Sequence, residues 1–327
     1  MVVPRRWLLG GLLLVVMAAV PVTTVFAAST PNTVPVASGI AISPFLQKVT
    51  INQADAQKVF TVTLTNNTHF TQEVALSARD FGSLNETGGI LFQGENDYTQ
   101  KYGLTSWISL ESTSVVLEPS ASKSVLVTVQ NRLSLQPGGH YGAIIASINN
   151  RDPTSGNKVS VQQELTSLVF VNKLGGARYD LRLKTITWNG NLFTLPSTVT
   201  LRFQNPGNVD VIPRGQVKLK NAGGRVVAQG IINDDSSFVL PESYRQMYVP
   251  LQRLAASPVE PPGPYSISVS YRYDGLDRTV TRTEHFIYAS AALWLLVIII
   301  AGVVSIKRKS LVIFGRKLAK KLHWPSR

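Results

Sequence analysis

Residues 59–66 read VFTVTLTN, a period-two alternation of apolar and polar side chains that returns in 73–78 and 198–204. Successive side chains of a strand point to opposite faces, so each run presents one face to a core and one to water. Val- and Ile-rich runs follow at 125–129 and 143–148, and a longer strand is expected over 158–172. Between them stand turn formers: Asn66-Asn67, Gly88-Gly89, Pro137-Gly138-Gly139 and Asn149-Asn150. Short strands at regular turn spacing, without long helical periodicity, specify an all-β sandwich.

The second half repeats the first. Leu117-Glu118-Pro119-Ser120 precedes the strand expected over 123–129, and Val239-Leu240-Pro241-Glu242 precedes one over 244–251. Pro137-Gly138-Gly139-His140-Tyr141 opens one strand, and Pro262-Gly263-Pro264-Tyr265 opens another. Asn66-Asn67-Thr68 has its counterpart in Asn205-Pro206-Gly207-Asn208, at a larger offset that fits an insertion in the first copy. The expected architecture is two tandem immunoglobulin-like sandwiches, 39–172 with an inserted loop 82–104, and 173–286. Gly139, Tyr141, Gly263 and Tyr265 are read as structural turn and corner residues. Each Tyr is expected to pack its ring at a corner and bond back to nearby backbone.

Ile287 to Ile306 is a run of twenty residues without a charge, followed at once by Lys307, Arg308 and Lys309. Twenty helical residues match a bilayer core of about 30 Å, and basic residues stay cytoplasmic. One transmembrane helix over 287–306 is therefore expected, with a basic tail at 307–327. The chain would be single-pass type I, its bulk extracytoplasmic. Arg5-Arg6, the apolar 7–20 and Val25-Phe26-Ala27 read as a signal peptide over 1–27, ahead of a flexible leader at 28–38. Sec export fits the apolar segment better than twin-arginine export. The formal charge of +13 reflects this topology. Segments 1–27 and 307–327 hold 10 of the 32 Lys and Arg and no acids, which leaves 22 against 19, a net +3. No nucleic-acid partner is implied. Leu311, Phe314, Leu318 and Leu322 with interleaved bases suit either the anionic inner leaflet or a solvated tail.

The chain has no cysteine, so disulfides, thiol nucleophiles and zinc-thiolate sites are out of reach. His69, His140, His285 and His323 are scattered, without metal-ligand spacing. Ser120-Ala121-Ser122-Lys123 matches a Ser-x-x-Lys pattern but lacks its catalytic partners. Gly175-Gly176 and Gly223-Gly224 read as hairpin glycines rather than phosphate cradles, and Leu195-Pro196-Ser197-Thr198-Val199 departs from a sortase signal. No catalytic residue, metal or cofactor is expected, and the chain reads as a non-enzyme.

The loop 82–104 is the candidate binding region. Tyr98, Tyr102, Asn96 and Asp97 combine ring faces with amide and carboxylate groups, which suits sugar rings. They suit a solvated loop equally. Trp107, in the WISL of 107–110, reads as part of a strand.

The ISPF start at 42–45, VTLTNNT at 62–68, ARDF at 78–81, WISL, the LEPS turn and PGGHYGAI at 137–144 together resemble the WxL-interacting proteins of Gram-positive surfaces. The resemblance implies an Ig-like peptidoglycan-binding domain, a second Ig-like domain, one membrane helix and a basic tail. More distantly, the pattern is similar to pilus-chaperone sandwiches. The expected function is a membrane-anchored envelope scaffold holding cell-wall glycan or another surface protein. The alternative is a chaperone-like sandwich that binds exported or pilus subunits by strand addition.

Overall fold

The computed structural model describes residues 39–92, 100–150, 161–254, 260–290, 294–305 and 307. The signal peptide and leader expected over 1–38, and the tail beyond Lys307, lie outside the described residues. The described residues are overwhelmingly β. The N-terminal half supplies β1 (Ile40–Ser43), β2 (Leu46–Ile51), β3 (Gln57–Asn66), β4 (Gln72–Leu84) and β5 (Gly89–Phe92). It continues with β6 (Ile108–Leu110), β7 (Ser114–Leu117), β8 (Ser122–Gln130), β9 (Gly138–Asn150) and β10 (Val161–Lys173). The C-terminal half supplies β11 (Arg182–Trp188), β12 (Thr198–Gln204), β13 (Arg214–Lys220) and β14 (Val226–Ile232). It ends with β15 (Tyr244–Pro250), β16 (Gln252–Arg253), β17 (Gly263–Arg272) and β18 (Val280–Tyr288).

Each half is a pair of sheets around its own core. In the N-terminal pair one sheet runs β1-β3-β8-β6, and the other β2-β10-β9-β4-β5 with β7 beside β4. Val62, Leu64, Val125 and Val127 from the first sheet meet Val74, Leu76, Ile144 and Ile148 from the second in one buried cluster. The C-terminal pair is β11-β12-β15 against β16-β14-β13-β17-β18, closed around Leu201, Phe203, Val217, Ile267 and Val269. Alternation built these cores: in β12 the residues alternate strictly between buried and half-buried. The entering chain changes sheet within a few residues. β1 pairs antiparallel with β3, and after the cis Ser43–Pro44 bond β2 runs parallel to β10.

The repeat is visible in its turns. Asn66 and Asn205 are both fully buried at the ends of β3 and β12. The side-chain amide of Asn66 donates to the carbonyls of Phe70, Leu117 and Glu118, and its oxygen accepts from the Thr68 amide at 2.9 Å. Asn205 donates likewise to Val209 and Val239 and accepts from the Gly207 amide at 2.8 Å. Their backbone amides bond to Ala121 and Ser243, two residues past Pro119 and Pro241. Ser120 (φ +58°) and Glu242 (φ +54°) hold the same left-handed position between them.

The expected transmembrane helix over 287–306 is not found. Among the described residues no helix is long and apolar enough to cross a membrane. Ile287 and Tyr288 belong to β18, where they pair with Pro264 and Gly263. The single-pass type I localisation and the membrane partner inferred from that run are withdrawn with it. An uncharged run of suitable length satisfied the membrane criterion, but its first residues are consumed by the β17–β18 ladder. WISL also divides differently: Thr105–Trp107 is a 3-10 turn, and the strand begins at Ile108.

Candidate binding site: the seam between the sheet pairs and the free edge of β10

The outer faces of the two N-terminal sheets differ. On the β3–β8 side, hydroxyl pairs Thr63–Ser124 and Thr65–Ser122 lie 2.9 and 2.8 Å apart, as suits a solvated face. The outer face of the β9–β10 sheet is apolar instead. Phe81, Tyr141, Ala143, Ile145 and Phe170 form a separate buried cluster there, joined by Phe238 and Leu240 of the C-terminal half. Phe170 meets Tyr141 edge-on at 5.1 Å and Phe238 at 4.7 Å. An apolar outer face calls for a cover, and the C-terminal half supplies part of it.

Polar contacts fix this seam. The Tyr141 hydroxyl accepts from the Asp210 amide at 2.7 Å and donates to its carboxylate at 3.3 Å, which also accepts from Lys48 at 3.3 Å. The Gly139 amide donates to the Asn208 carbonyl at 2.7 Å. A Cβ on Gly139 would lie 2.1 Å from the Tyr141 hydroxyl, so the close crossing of chains needs glycine there. Tyr265 differs, because its hydroxyl returns to the Pro261 carbonyl of its own turn at 2.8 Å. Its Gly263, at φ +143°, is there for the backbone conformation.

The inserted segment is the second tie. The β4–β5 hairpin turns through Asn85 and Gly88, both at positive φ, and offers Glu86 to the C-terminal half. Arg202 donates to both Glu86 carboxylate oxygens, at 2.7 and 2.5 Å, and the Gln246 amide donates to the Glu86 carbonyl at 2.8 Å. The Arg202 guanidinium and the Gln246 side chain hold the Glu86 carboxyl at about 2. Farther along, Lys101 pairs with Glu242, and the Tyr102 hydroxyl donates to the same carboxylate at 2.9 Å. Asp80 accepts from the Leu104 and Thr105 amides, both at 2.7 Å, and so pins the end of the segment. Of the candidate sugar-binding residues, Tyr102 thus has its hydroxyl engaged by Glu242. Tyr98, Asn96 and Asp97 lie outside the described residues. Composition drew attention to this segment, but no local signal in the sequence named Glu86, Arg202 or Asp210 as its anchors.

Two features of the seam remain open. The first is an edge. β10 pairs along its whole length with β9, but with β2 only from Leu168 onward. No described strand lies beside the first half of β10 on that side. The Leu168 amide donates to Phe45, so by alternation the Thr166 backbone groups point the same way, toward the side on which no described strand lies. Two other edges are contacted: Glu86 sits on β15, and Arg282 of β18 donates to the Leu183 and Lys184 carbonyls of β11. The β18 edge carries its own charges, Arg282 and Glu284, 2.8 Å apart.

The second feature is a cavity of about 380 Å³ between the halves, beginning where this edge ends. Phe45, Phe81, Leu168 and Phe170 form one wall, and Phe238 and Arg245 part of the other. Phe45 is 74% exposed, unusual for a Phe beside so much buried apolar surface.

No family model and no curated protein sequence matches the chain. Solved structures do resemble it. The class 5 fimbriae chaperone CfaA aligns with 77% of this chain and 99% of its own, at 13% identity and a TM-score of 0.40. The E. coli chaperone DraB aligns with 77% and 96%, at 11% identity and 0.35. The Salmonella enterica SafA pilin–SafB chaperone structure aligns with 75% and 96%, at 10% and 0.37. Likenesses at these scores assign neither ligand nor role, and the functional reading rests on the geometry of the seam.

Proposed function

We propose that the protein is a polypeptide-binding module of two tandem Ig-like domains that takes an extended segment of a partner protein on β10 around Thr166, where no described strand flanks it opposite β9. The observation that carries this reading is the stretch of β10 at Leu165–Ser167, flanked by β9 alone among the described strands. A free edge offers its backbone donors and acceptors in register to any added strand, and side-chain pockets then give selectivity. The apolar wall at Phe45 and Leu168 continues from the end of that edge and would receive the partner's apolar side chains. This is the strand-addition alternative. The glycan reading retains only Tyr102 among the described residues, and its hydroxyl is already engaged.

The test is selection of a phage-displayed library of random twelve-residue peptides on the full chain. Peptides with alternating apolar residues are expected to be enriched. Thr166→Pro removes one edge N–H and should abolish their binding, whereas Thr166→Val, which keeps the N–H, should retain it. Absence of enrichment, or equal binding by a folded Thr166→Pro protein, contradicts the reading.

A further inference from the structure

The strand-addition reading makes no use of Arg245. This residue opens from β15 into the cavity between the halves, where it is half-buried. Among the described residues it makes one hydrogen bond, donating from Nη1 to the Phe238 carbonyl at 2.6 Å. A guanidinium carries five N–H donors, so most of its capacity is unused among the described groups. No carboxylate lies within 4 Å of it among the described residues, although eight such pairs form elsewhere, several of them on exposed arginines. Asp235 lines the same cavity, but its carboxylate accepts from the Ser237 hydroxyl at 2.6 Å. Burial lowers the Arg245 pKa, and the Asp235 carboxylate, which forms no ion pair with it, only partly offsets this.

The guanidinium is also held in place. Gly88 of the β4–β5 turn lies against it so closely that a Cβ there would stand 2.2 Å from Nη2. The inserted hairpin and β15 together therefore present a fixed fork to the cavity. Phe81, Leu168 and Phe170 line the same cavity. A buried cation above an apolar floor is complementary to an amphiphile with an anionic head.

We propose that this cavity binds a monocarboxylate with an apolar chain, its carboxylate on the free edge of the Arg245 guanidinium and its chain on Phe81, Leu168 and Phe170. One guanidinium matches one carboxylate in charge and in fork geometry. A phosphate monoester carries about −1.5 to −2 at pH 7, and Asp235 on the same wall opposes that excess.

Calorimetric titration of the full chain with decanoate, decanol and decyl phosphate tests the proposal. Decanoate is expected to bind at least tenfold more tightly than decanol. Arg245→Met should remove that ratio while leaving decanol binding within about twofold. Asp235→Asn should leave decanoate binding unchanged or strengthen it. Equal affinity of the wild-type chain for decanoate and decanol overturns the proposal even if Arg245→Met does not fold. Tighter binding of decyl phosphate than of decanoate overturns the choice of carboxylate, and loss of decanoate binding in Asp235→Asn overturns the assignment to Arg245. Thr166→Pro should leave decanoate binding intact, so failure here is separable from failure of strand addition.

Discussion

The two halves of the molecule are built on the same turns and have put them to different uses. Asn66 and Asn205 make the same clasp, each fully buried, each donating to carbonyls of two converging segments. The Tyr residues that open β9 and β17 occupy matching places but point their hydroxyls differently. Tyr265 closes its own turn, whereas Tyr141 reaches across the seam to Asp210. A repeat preserves what a sandwich needs in order to fold. The first copy has diverged where it touches the second, and there the additions gather: the β4–β5 hairpin, Lys101 and Tyr102.

The largest expected effect tests what the halves share. Asn66→Ala and Asn205→Ala each strand several buried carbonyls and should each cost about 2–4 kcal/mol in denaturant unfolding. If one variant is neutral and the other severe, the two clasps are not equivalent. A smaller effect tests the difference. Tyr141→Phe and Tyr265→Phe should each cost on the order of 1 kcal/mol. Only Tyr141→Phe should speed amide exchange at 208–210, because the Asp210 amide loses its acceptor. Equal exchange in both variants would mean that Tyr141 does not hold the seam.

The hairpin tie should depend on pH with a definite sign. The folded Glu86 carboxyl is depressed to about 2, below its ordinary value of 4.5. Its contribution is therefore fully present above about pH 4.5 and is lost as pH falls through 2. Amides at the Glu86–Gln246 contact should stay protected at pH 5 and open progressively between pH 4 and 2. Glu86→Gln should remove that pH dependence, with a modest loss of protection at pH 7. Opening that proceeds identically in Glu86→Gln would assign the transition to other carboxylates.

Much of the architecture was legible. Alternation in 59–66 and 198–204 fixed strands close to β3 and β12, and the Pro119 and Pro241 turns marked the repeat. Both signals are local, since period and turn chemistry depend on neighbours in sequence. The seam was not legible, because Glu86 and Arg202 are separated by more than a hundred residues and neither stands out in its own segment. The resemblance to WxL-interacting proteins rests on turn and core motifs, which specify a fold rather than a ligand. The run 287–306 misled for the opposite reason. Its hydropathy was real, yet hydropathy alone cannot show that β17 draws Ile287 and Tyr288 into a ladder. The part of β10 that β2 does not reach was hidden too, because where β2 begins is decided by the sheet change at Pro44.

The same comparison singles out the functional edge. β10 and β18 are the last strands of their halves; charged side chains line one, and among the described strands β2 reaches only the second half of the other. Amide exchange at Thr166, followed by NMR with and without a selected alternating peptide, tests strand addition most directly. Without peptide the Thr166 amide should exchange much faster than that of Ser167, which faces β9. With peptide it should slow by at least tenfold while Ser167 changes little. A Thr166 amide already protected in the free chain, or unaffected by bound peptide, would contradict the account.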